Sequence, residues 1–326
     1  MRVVFMGTPH FAVPTLQNLV TSAPPGHIWS SGLDLAGVIT RPDKPAGRSG
    51  TPQAAPVKLY AQEVGLPVYQ PGSFRRPEAL ALLHRLAPDL IVVAAFGQIL
   101  PTEVIELPEH GCLNVHASLL PRHRGASPIA ASILAGDAET GVTIMLMDEG
   151  LDTGPIIAQT ATPIGVEETA GELTTRLAEV GAHALIEVLP RWLAGGIEPT
   201  PQDSARATTT RLLRKTDGQL DWTQPAERLS RQIRAYTPWP GAFTTWRGRQ
   251  LKVLHAHVAD ATNPQPDGEP GTIFLAPDER GEQRLACVCG QGAITLEMIQ
   301  LEGKRALPGS EFLRGNSAIV GARLGQ

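Results

Sequence analysis

Cysteine is scarce in this chain of 326 residues, with three copies at Cys112, Cys287 and Cys289. So small and odd a number excludes a disulfide-stapled secreted scaffold. Cys287 and Cys289 stand two apart on a strand-like run, share one face and are badly placed to bridge each other. Two cysteines of that spacing also fall short of a structural zinc site. No apolar run approaches the ~20 residues that cross a bilayer. The apolar start, MRVVFMGTPHFAV, is interrupted by Gly7, Pro9 and His10 before a secretory core would be complete. Together these absences predict a cytoplasmic chain with reduced thiols. Several catalytic signatures are missing as well. No G-x-x-x-x-G-K-[ST] occurs, no G-x-G-x-x-G follows the first strand, and neither H-E-x-x-H nor G-x-S-x-G appears. The pair His255 and His257, on a strand-like run in the second half, is expected to have no nearby carboxylate or third ligand and reads as structural or surface.

Against these absences stand 42% hydrophobic and 18% charged residues, the mixture of a folded globular protein, in a length that suits two domains. The net charge of −4 is unevenly distributed. Residues 206–258 carry ten basic and three acidic side chains, whereas 1–205 carry twelve and twenty. A basic block inside an acidic chain is either the footprint of a polyanion or a solvated helix face.

The first half alternates short β-branched runs (RVVFMG, DLAGVIT, DLIVVAAF, CLNVHA, GVTIMLM) with helical patterns (FAVPTLQNLV, PVKLYAQEVG, PEALALLHRLA, PIAASILAG). That alternation predicts βαβ units around a mostly parallel sheet, with ligands beyond the carboxyl ends of its strands. TAGELTTRLAEVGAHALIEVLPRWLAGG predicts a long closing helix that Pro190 kinks or ends. Residues 195–210, rich in Gly, Pro, Ser and Thr, read as a linker between a domain at 1–194 and one at 211–326. The second domain opens with one helix, which sets Leu229 and Ile233 on one face and Arg228, Arg231 and Arg234 elsewhere. Five short strand-like runs follow, for which a small β-barrel is the natural closure.

Two clusters carry chemistry. In the strand GCLNVHA, alternation sets Cys112, Asn114 and His116 on one face. An amide and an imidazole converging at a strand end can donate to a developing oxyanion and handle a proton near neutral pH. The second cluster, MDEGLDTGPI, puts Asp148, Glu149 and Asp152 in a Gly-flanked loop after another strand. Either it is a plain turn, or Asp152 meets His116 and completes an acid, a base and an amide around a carbonyl.

NVHASLLPRHRG and MDEGLDTGPI in combination, with MGTPHFAVPTL, RPDKPAGR, VVAAFGQILP and DGQLDWTQPAERLSRQIRAYTPWPGAF, resemble the formyltransferases that use 10-formyltetrahydrofolate, in the branch acting on methionyl-tRNA. The resemblance covers most of the chain. It implies an α/β, Rossmann-like N-terminal domain and a C-terminal OB-like β-barrel that binds tRNA. It implies formyl transfer to the α-amino group of methionine on the initiator tRNA, through a tetrahedral intermediate stabilised by Asn114 and His116, with Asp152 assisting proton transfer. Ser118, Leu119, Leu120 and Pro121 would contact the folate. The backbone around Phe96, Gly97, Ile99 and Leu100, and the loop holding Asp148, Glu149 and Gly150, would enclose its pterin ring. No metal is implied. Arg41, Lys44 and Arg48 would enter the acceptor end of the tRNA, and Arg211, Arg214, Lys215, Arg247 and Arg249 would contact phosphates. After Arg48, where that family often adds lysines, the text SGTPQAAP has no charge until Lys58, which weakens the expected electrostatics of the loop. The segment 24–34 is longer than usual and suggests a surface loop. A two-domain clamp on one RNA works as a monomer. A sister enzyme acting on a small amine, such as a nucleotide sugar or a purine precursor, would share the trio but not the second domain and the basic block. A silent folate- or RNA-binding protein would not need the trio intact.

Overall fold

The computed structural model describes residues 1–21, 33–45, 52–259, 268–278 and 280–325. Arg48 and most of the 24–34 segment lie outside the described residues. The chain forms two compact units. The first holds Met1–Pro128, Glu139–Pro163 and Thr174–Arg211, and the second Ile129–Ala138, Ile164–Leu173 and Leu212–Gln326.

The first unit is built on strands that are apolar on both faces. Val3, Val4, Phe5 and Met6 are all fully buried, so RVVFMG becomes the inner strand β1 (Arg2–Gly7). After it come α1 (Val13–Thr21), β2 (Asp34–Ile39) and a two-residue ladder of β3 (Lys44–Pro45) with β4 (Pro52–Gln53). Next are α2 (Pro56–Glu63), β5 (Val68–Tyr69), α3 (Pro77–Leu86), β6 (Leu90–Ala94), α4 (Thr102–Ile105) and β7 (Cys112–His116). The chain continues through β8 (Arg124–Gly125), α5 (Pro128–Ala135), β9 (Glu139–Leu146), β10 (Ile156–Pro163), α6 (Ala170–Leu193) and β11 (Thr209–Thr210). The main sheet has the order β10-β9-β7-β6-β1-β2-β5. Its pairs from β7 to β5 are parallel, while β9 and β10 add antiparallel. The chain reverses direction across the sheet between β1 and β6, so the carboxyl ends of β1, β6 and β7 share the edge where ligands collect in such sheets.

Helix α6 begins with a reciprocal cap in which Thr169 N–H donates to Glu172 and Glu172 N–H donates back to the Thr169 hydroxyl. Of the two outcomes expected at Pro190, a kink or an end, the second is corrected: the helix runs on to Leu193. A proline so near the carboxyl end removes one backbone bond without stopping the last turn, and Ala194 N–H still reaches the Pro190 carbonyl.

The second unit is an antiparallel sheet of β12 (Ala242–Trp246), β13 (Arg249–Val258), β14 (Ile273–Pro277), β15 (Gln283–Val288) and β16 (Ala293–Leu301), in the order β12-β13-β16-β15-β14, with β17 (Leu307–Pro308) beside β16. Helix α7 (Ala226–Ala235) buries Leu229 and Ile233 in the sheet's core, the face its spacing predicts. Helix α8 (Gly309–Gly315), unforeseen in the sequence, brings Phe312 edge-on to Trp246 at 5.8 Å between ring centroids. All three cysteines are buried and unbridged. Burial pushes the Cys112 and Cys289 thiols up to about 12 and the Cys287 thiol upward as well.

Because Leu229 is fully buried in this core, Leu229→Ala should cost about 2–5 kcal/mol of the second unit's stability. Urea unfolding followed by tryptophan fluorescence would measure it; a cost under ~1 kcal/mol would mean that α7 is not part of the core.

Candidate active site

Strand β7 positions the first cluster. Cys112 belongs to the apolar cluster that holds Phe96, Leu100 and Val104, so alternation turns Asn114 and His116 to that face. Leu113 and Val115 face the other way, where α6 approaches so closely that a Cβ on Gly181 would stand 2.7 Å from Val115. Asn114 is half-buried, and among the described residues its amide makes no hydrogen bond.

His116 is only 6% exposed. Its Nε2 lies 3.1 Å from the His123 carbonyl. A carbonyl only accepts, so this bond puts the ring proton on Nε2. Nδ1 is then the basic nitrogen, and Asp152 Oδ2 stands 3.6 Å from it. Burial holds the imidazole below its ordinary 6.5, while the Asp152 carboxylate pulls the other way. Burial prevails, and the resting ring is neutral with its lone pair beside a carboxylate.

Asp152 reaches this position by an indirect path. Leu146, the last residue of β9, pairs with Leu113, three residues before His116. The loop after β9 therefore leaves the sheet on the amino-terminal side of His116 and doubles back. Asp152 sits at φ 53°, and its Oδ2 accepts the Gly125 N–H at 2.7 Å. Gly125 has φ 109°, and a Cβ there would fall 2.3 Å from the Thr210 carbonyl oxygen.

The segment between the two catalytic candidates is braced from inside. The Ser118 hydroxyl donates to the Arg122 carbonyl at 2.6 Å, and the Thr143 hydroxyl donates to the Ser118 carbonyl at 2.7 Å. Gln159 donates to the Leu120 carbonyl at 2.9 Å. Ser118 and Leu120 are buried and shape the loop, whereas Leu119 and Pro121 are half-exposed. Phe96 packs against Phe74 in the core, and its carbonyl accepts from the Thr8 hydroxyl at 3.1 Å. Gly97 follows at φ 76°; Ile99 is exposed and Leu100 buried. Asp148 accepts from Gly150 N–H and the Thr153 hydroxyl, and Glu149 accepts from the Thr102 hydroxyl at 3.0 Å, which ties the 148–152 loop to the start of α4.

The basic candidates are scattered. Lys44 is exposed on β3, and Arg41 is half-buried, with a guanidinium nitrogen 3.2 Å from where a Gly97 Cβ would lie. Lys58 is bound to Asp43 at 2.6 Å, and Gln70 bridges both. The Lys58 hydrogen bond holds the Asp43 carboxyl below its ordinary range. Arg211, Arg214, Lys215, Arg247 and Arg249 are exposed, with Arg247 lying 5.0 Å from the Trp246 ring centroid and Arg249 donating to the Glu302 carbonyl. On α7, Arg231 donates to the Glu227 and Ala135 carbonyls and Arg234 to that of Glu168, which leaves Arg228 as the exposed member of the three. The reading that His255 and His257 lack carboxylates is corrected. Glu167 is 3.5 Å from His255, and Glu297 on the neighbouring strand is 3.7 Å from His257, both brought in from far along the chain. Among the described residues no group of three His, Cys, Asp or Glu side chains could hold a metal ion, and no helix is long and apolar enough to cross a membrane.

Sequence reasoning missed Gln202, Thr208 and Thr210. They lie in the Gly, Pro, Ser and Thr segment read as a linker, yet Thr209 and Thr210 pair with Arg124 and Gly125, Thr208 accepts the His123 N–H at 2.8 Å, and Gln202 accepts from Arg124. No local signal in the sequence marks them.

Residues 1–189 match the sequence profile described as formyl transferase, and 212–317 that of the formyl transferase C-terminal domain. A methionyl-tRNA formyltransferase of Roseiflexus castenholzii is 46% identical over 100% of this chain and 99% of its own. Another, of Geobacter sulfurreducens, is 44% identical over 100% and 97%. Among solved structures, WlaRD, a sugar 3N-formyl transferase crystallised with dTDP and 5-N-formyl-tetrahydrofolate, superposes with a TM-score of 0.64 at 18% identity over 94% of this chain and 99% of that one.

His116 also leaves a signature in stability. Its folded-state pKa is lowered, so the unfolded chain binds the proton first, and the His116 contribution is whole above 6.5 and lost as pH falls toward the folded value. The Tm of His116→Asn relative to the parent should therefore rise as pH is lowered from 7.5 to 5.5. A difference that stays flat across that range would show that the ring is not held neutral by burial.

Proposed function

The chain belongs to the formyl transferase family, and from that premise we propose that it moves the formyl group of 10-formyltetrahydrofolate to the α-amino group of methionine carried by the initiator tRNA. The observation that carries the reading is the buried His116–Asp152 pair, on the same strand face as Asn114, whose amide has no partner among the described residues. An amide left without a partner in a half-buried setting fits a ligand oxygen. The donor, a co-substrate, supplies a formyl carbon bonded to N10. Leu119, Pro121, the Phe96–Leu100 backbone and the loop of Asp148, Glu149 and Gly150 would hold it, with Ser118 and Leu120 shaping their support.

Asn114 donates to the formyl oxygen as the amine adds and that oxygen turns anionic. His116 Nδ1 accepts the proton released by the attacking nitrogen. Asp152 stabilises the imidazolium so formed, and that charge in turn steadies the anionic oxygen. His116 then returns the proton to the departing nitrogen, directly or through water, as the bond to N10 breaks. The products are a formamide and tetrahydrofolate, and no electron leaves or enters.

For the RNA, Arg41, Lys44 and Arg48 would meet the acceptor end, while Arg211, Arg214, Lys215, Arg247 and Arg249 would meet phosphates. On this division residues 1–194 carry the catalytic trio, 195–210 connect while also pairing with Arg124 and Gly125, and 211–326 hold the RNA. The rival small-amine reading has fold-level similarity at 18% identity, whereas relatives at 44–46% identity over the whole chain carry the tRNA name.

Mixing the protein with 10-formyltetrahydrofolate and charged initiator tRNA should yield formylmethionyl-tRNA; formylation of an amino sugar in its place would overturn the tRNA assignment. His116→Ala should lower kcat by about 10²–10⁴-fold and Asn114→Ala by about 10²–10³-fold. Folate affinity, followed by fluorescence quenching, should change by less than about threefold in either variant, and turnover within threefold of the parent would remove the substituted residue from the mechanism.

A further inference from the structure

Gln202 holds a position that the chemistry above does not explain. Its amide nitrogen donates to two carbonyls of the catalytic loop, Asp152 at 2.9 Å and Gly154 at 2.7 Å. Its oxygen accepts two bonds from one guanidinium, Arg124 Nε at 3.0 Å and Nη2 at 2.8 Å. Arg124 is only 7% exposed, and its backbone lies between His123, whose carbonyl binds the His116 ring, and Gly125, whose N–H binds the Asp152 carboxylate. The Gln202 amide is thus saturated on both sides, and it joins the loop that carries Asp152 to the loop that braces His116.

The same strap fastens the second loop through its backbone. Arg124 N–H donates to the Thr208 carbonyl at 2.8 Å, and the Thr210 hydroxyl donates to the Arg124 carbonyl at 3.1 Å while accepting the Ser127 N–H at 3.1 Å. Residues 202–210 therefore run across both catalytic loops. Asp152 needs such help. Its own backbone is in the left-handed region, its loop has doubled back from the end of β9, and its carboxylate faces a neutral ring lone pair that gives it no hydrogen bond.

We propose that Gln202, held by Arg124, is a positioning residue that fixes the Asp152 carboxylate against His116, so that the segment 202–210 of the first unit is part of the catalytic apparatus. The inference rests on the formyl-transfer reading for its kinetic consequence but not for its geometry. The bidentate guanidinium fixes the direction of the amide oxygen, and with it the direction of the amide hydrogens. Two carbonyls of one loop are then pinned at once, which sets the loop's rotation as well as its distance. Misplacement of a catalytic group by about 1 Å is enough to cost on the order of 10²-fold in rate.

The test is Gln202→Glu, which keeps length and gives Arg124 a carboxylate partner but cannot donate to the carbonyls, together with Gln202→Met, which keeps bulk without polarity. Each should lower kcat by about 10- to 100-fold with both KM values within about twofold. Each should also move the Gly125 amide proton resonance upfield as its bond to Asp152 lengthens. On an Asp152→Asn background the same substitutions should cost less than about twofold more, because the group they position is already gone. A full kcat in Gln202→Glu, or an undiminished loss on the Asp152→Asn background, would overturn the proposal. Were the parent protein inactive toward every formyl acceptor, the catalytic reading would fall by itself, and an unmoved Gly125 resonance in Gln202→Glu would still refute the positioning role.

Discussion

One carboxylate oxygen organises the first unit's functional edge. Asp152 Oδ2 accepts the Gly125 N–H and stands 3.6 Å from the His116 ring. An anion beside a neutral lone pair in a buried site is unfavourable by itself, because both groups are electron-rich and neither is well solvated. The Gly125 N–H offsets part of that cost, and a proton arriving on the ring relieves the rest. Burial of the ring still outweighs this attraction and keeps the imidazole neutral at rest, so Asp152 narrows the gap between the neutral and the protonated ring without reversing it.

That arrangement restricts the surrounding backbone. His123, Gly125 and Asp152 all have positive φ. Two of the three are not glycine, and such residues persist in this conformation only where their surroundings hold them there. The surroundings are Thr143 and Gln159 from β9 and β10, which brace the loop after β7, and the strand-like Thr209–Thr210 beside Arg124. Only glycine serves at position 125, since any side chain would strike the Thr210 carbonyl.

The strands of the first sheet could be read from sequence because their apolar runs are unbroken. RVVFMG and LIVVA are buried on both faces, and a parallel inner strand leaves no other reading. Asn114 and His116 were legible for the opposite reason: polar groups two apart in an apolar strand must share a face. The meeting of Asp152 with His116 was only half legible. The sequence showed an acidic loop after a strand, but the antiparallel turn of β9 that makes the loop double back depends on long-range pairing. Gln202 and Arg124 were not legible at all. Their bond spans 78 positions, and a glutamine among small residues has the local signature of a solvated connector. The partners of His255 and His257 were missed for the same reason, since neither Glu167 nor Glu297 is near them in the chain. Short helices such as α4 and α8 escaped because one or two turns give too few positions for a periodicity to show.

The burial of every thiol has a practical meaning for following this molecule at work. A thiol pushed to about 12 and shielded from solvent is almost wholly in its unreactive form at neutral pH. Maleimide dyes and nitroxide labels would pass over Cys112, Cys287 and Cys289 and attach to a cysteine newly placed on the surface. The parent background then needs no prior removal of its own sulfur groups. Distances between the β3–β4 ladder and the β12–β13 turn become measurable in solution by fluorescence transfer or electron spin resonance as substrates are added.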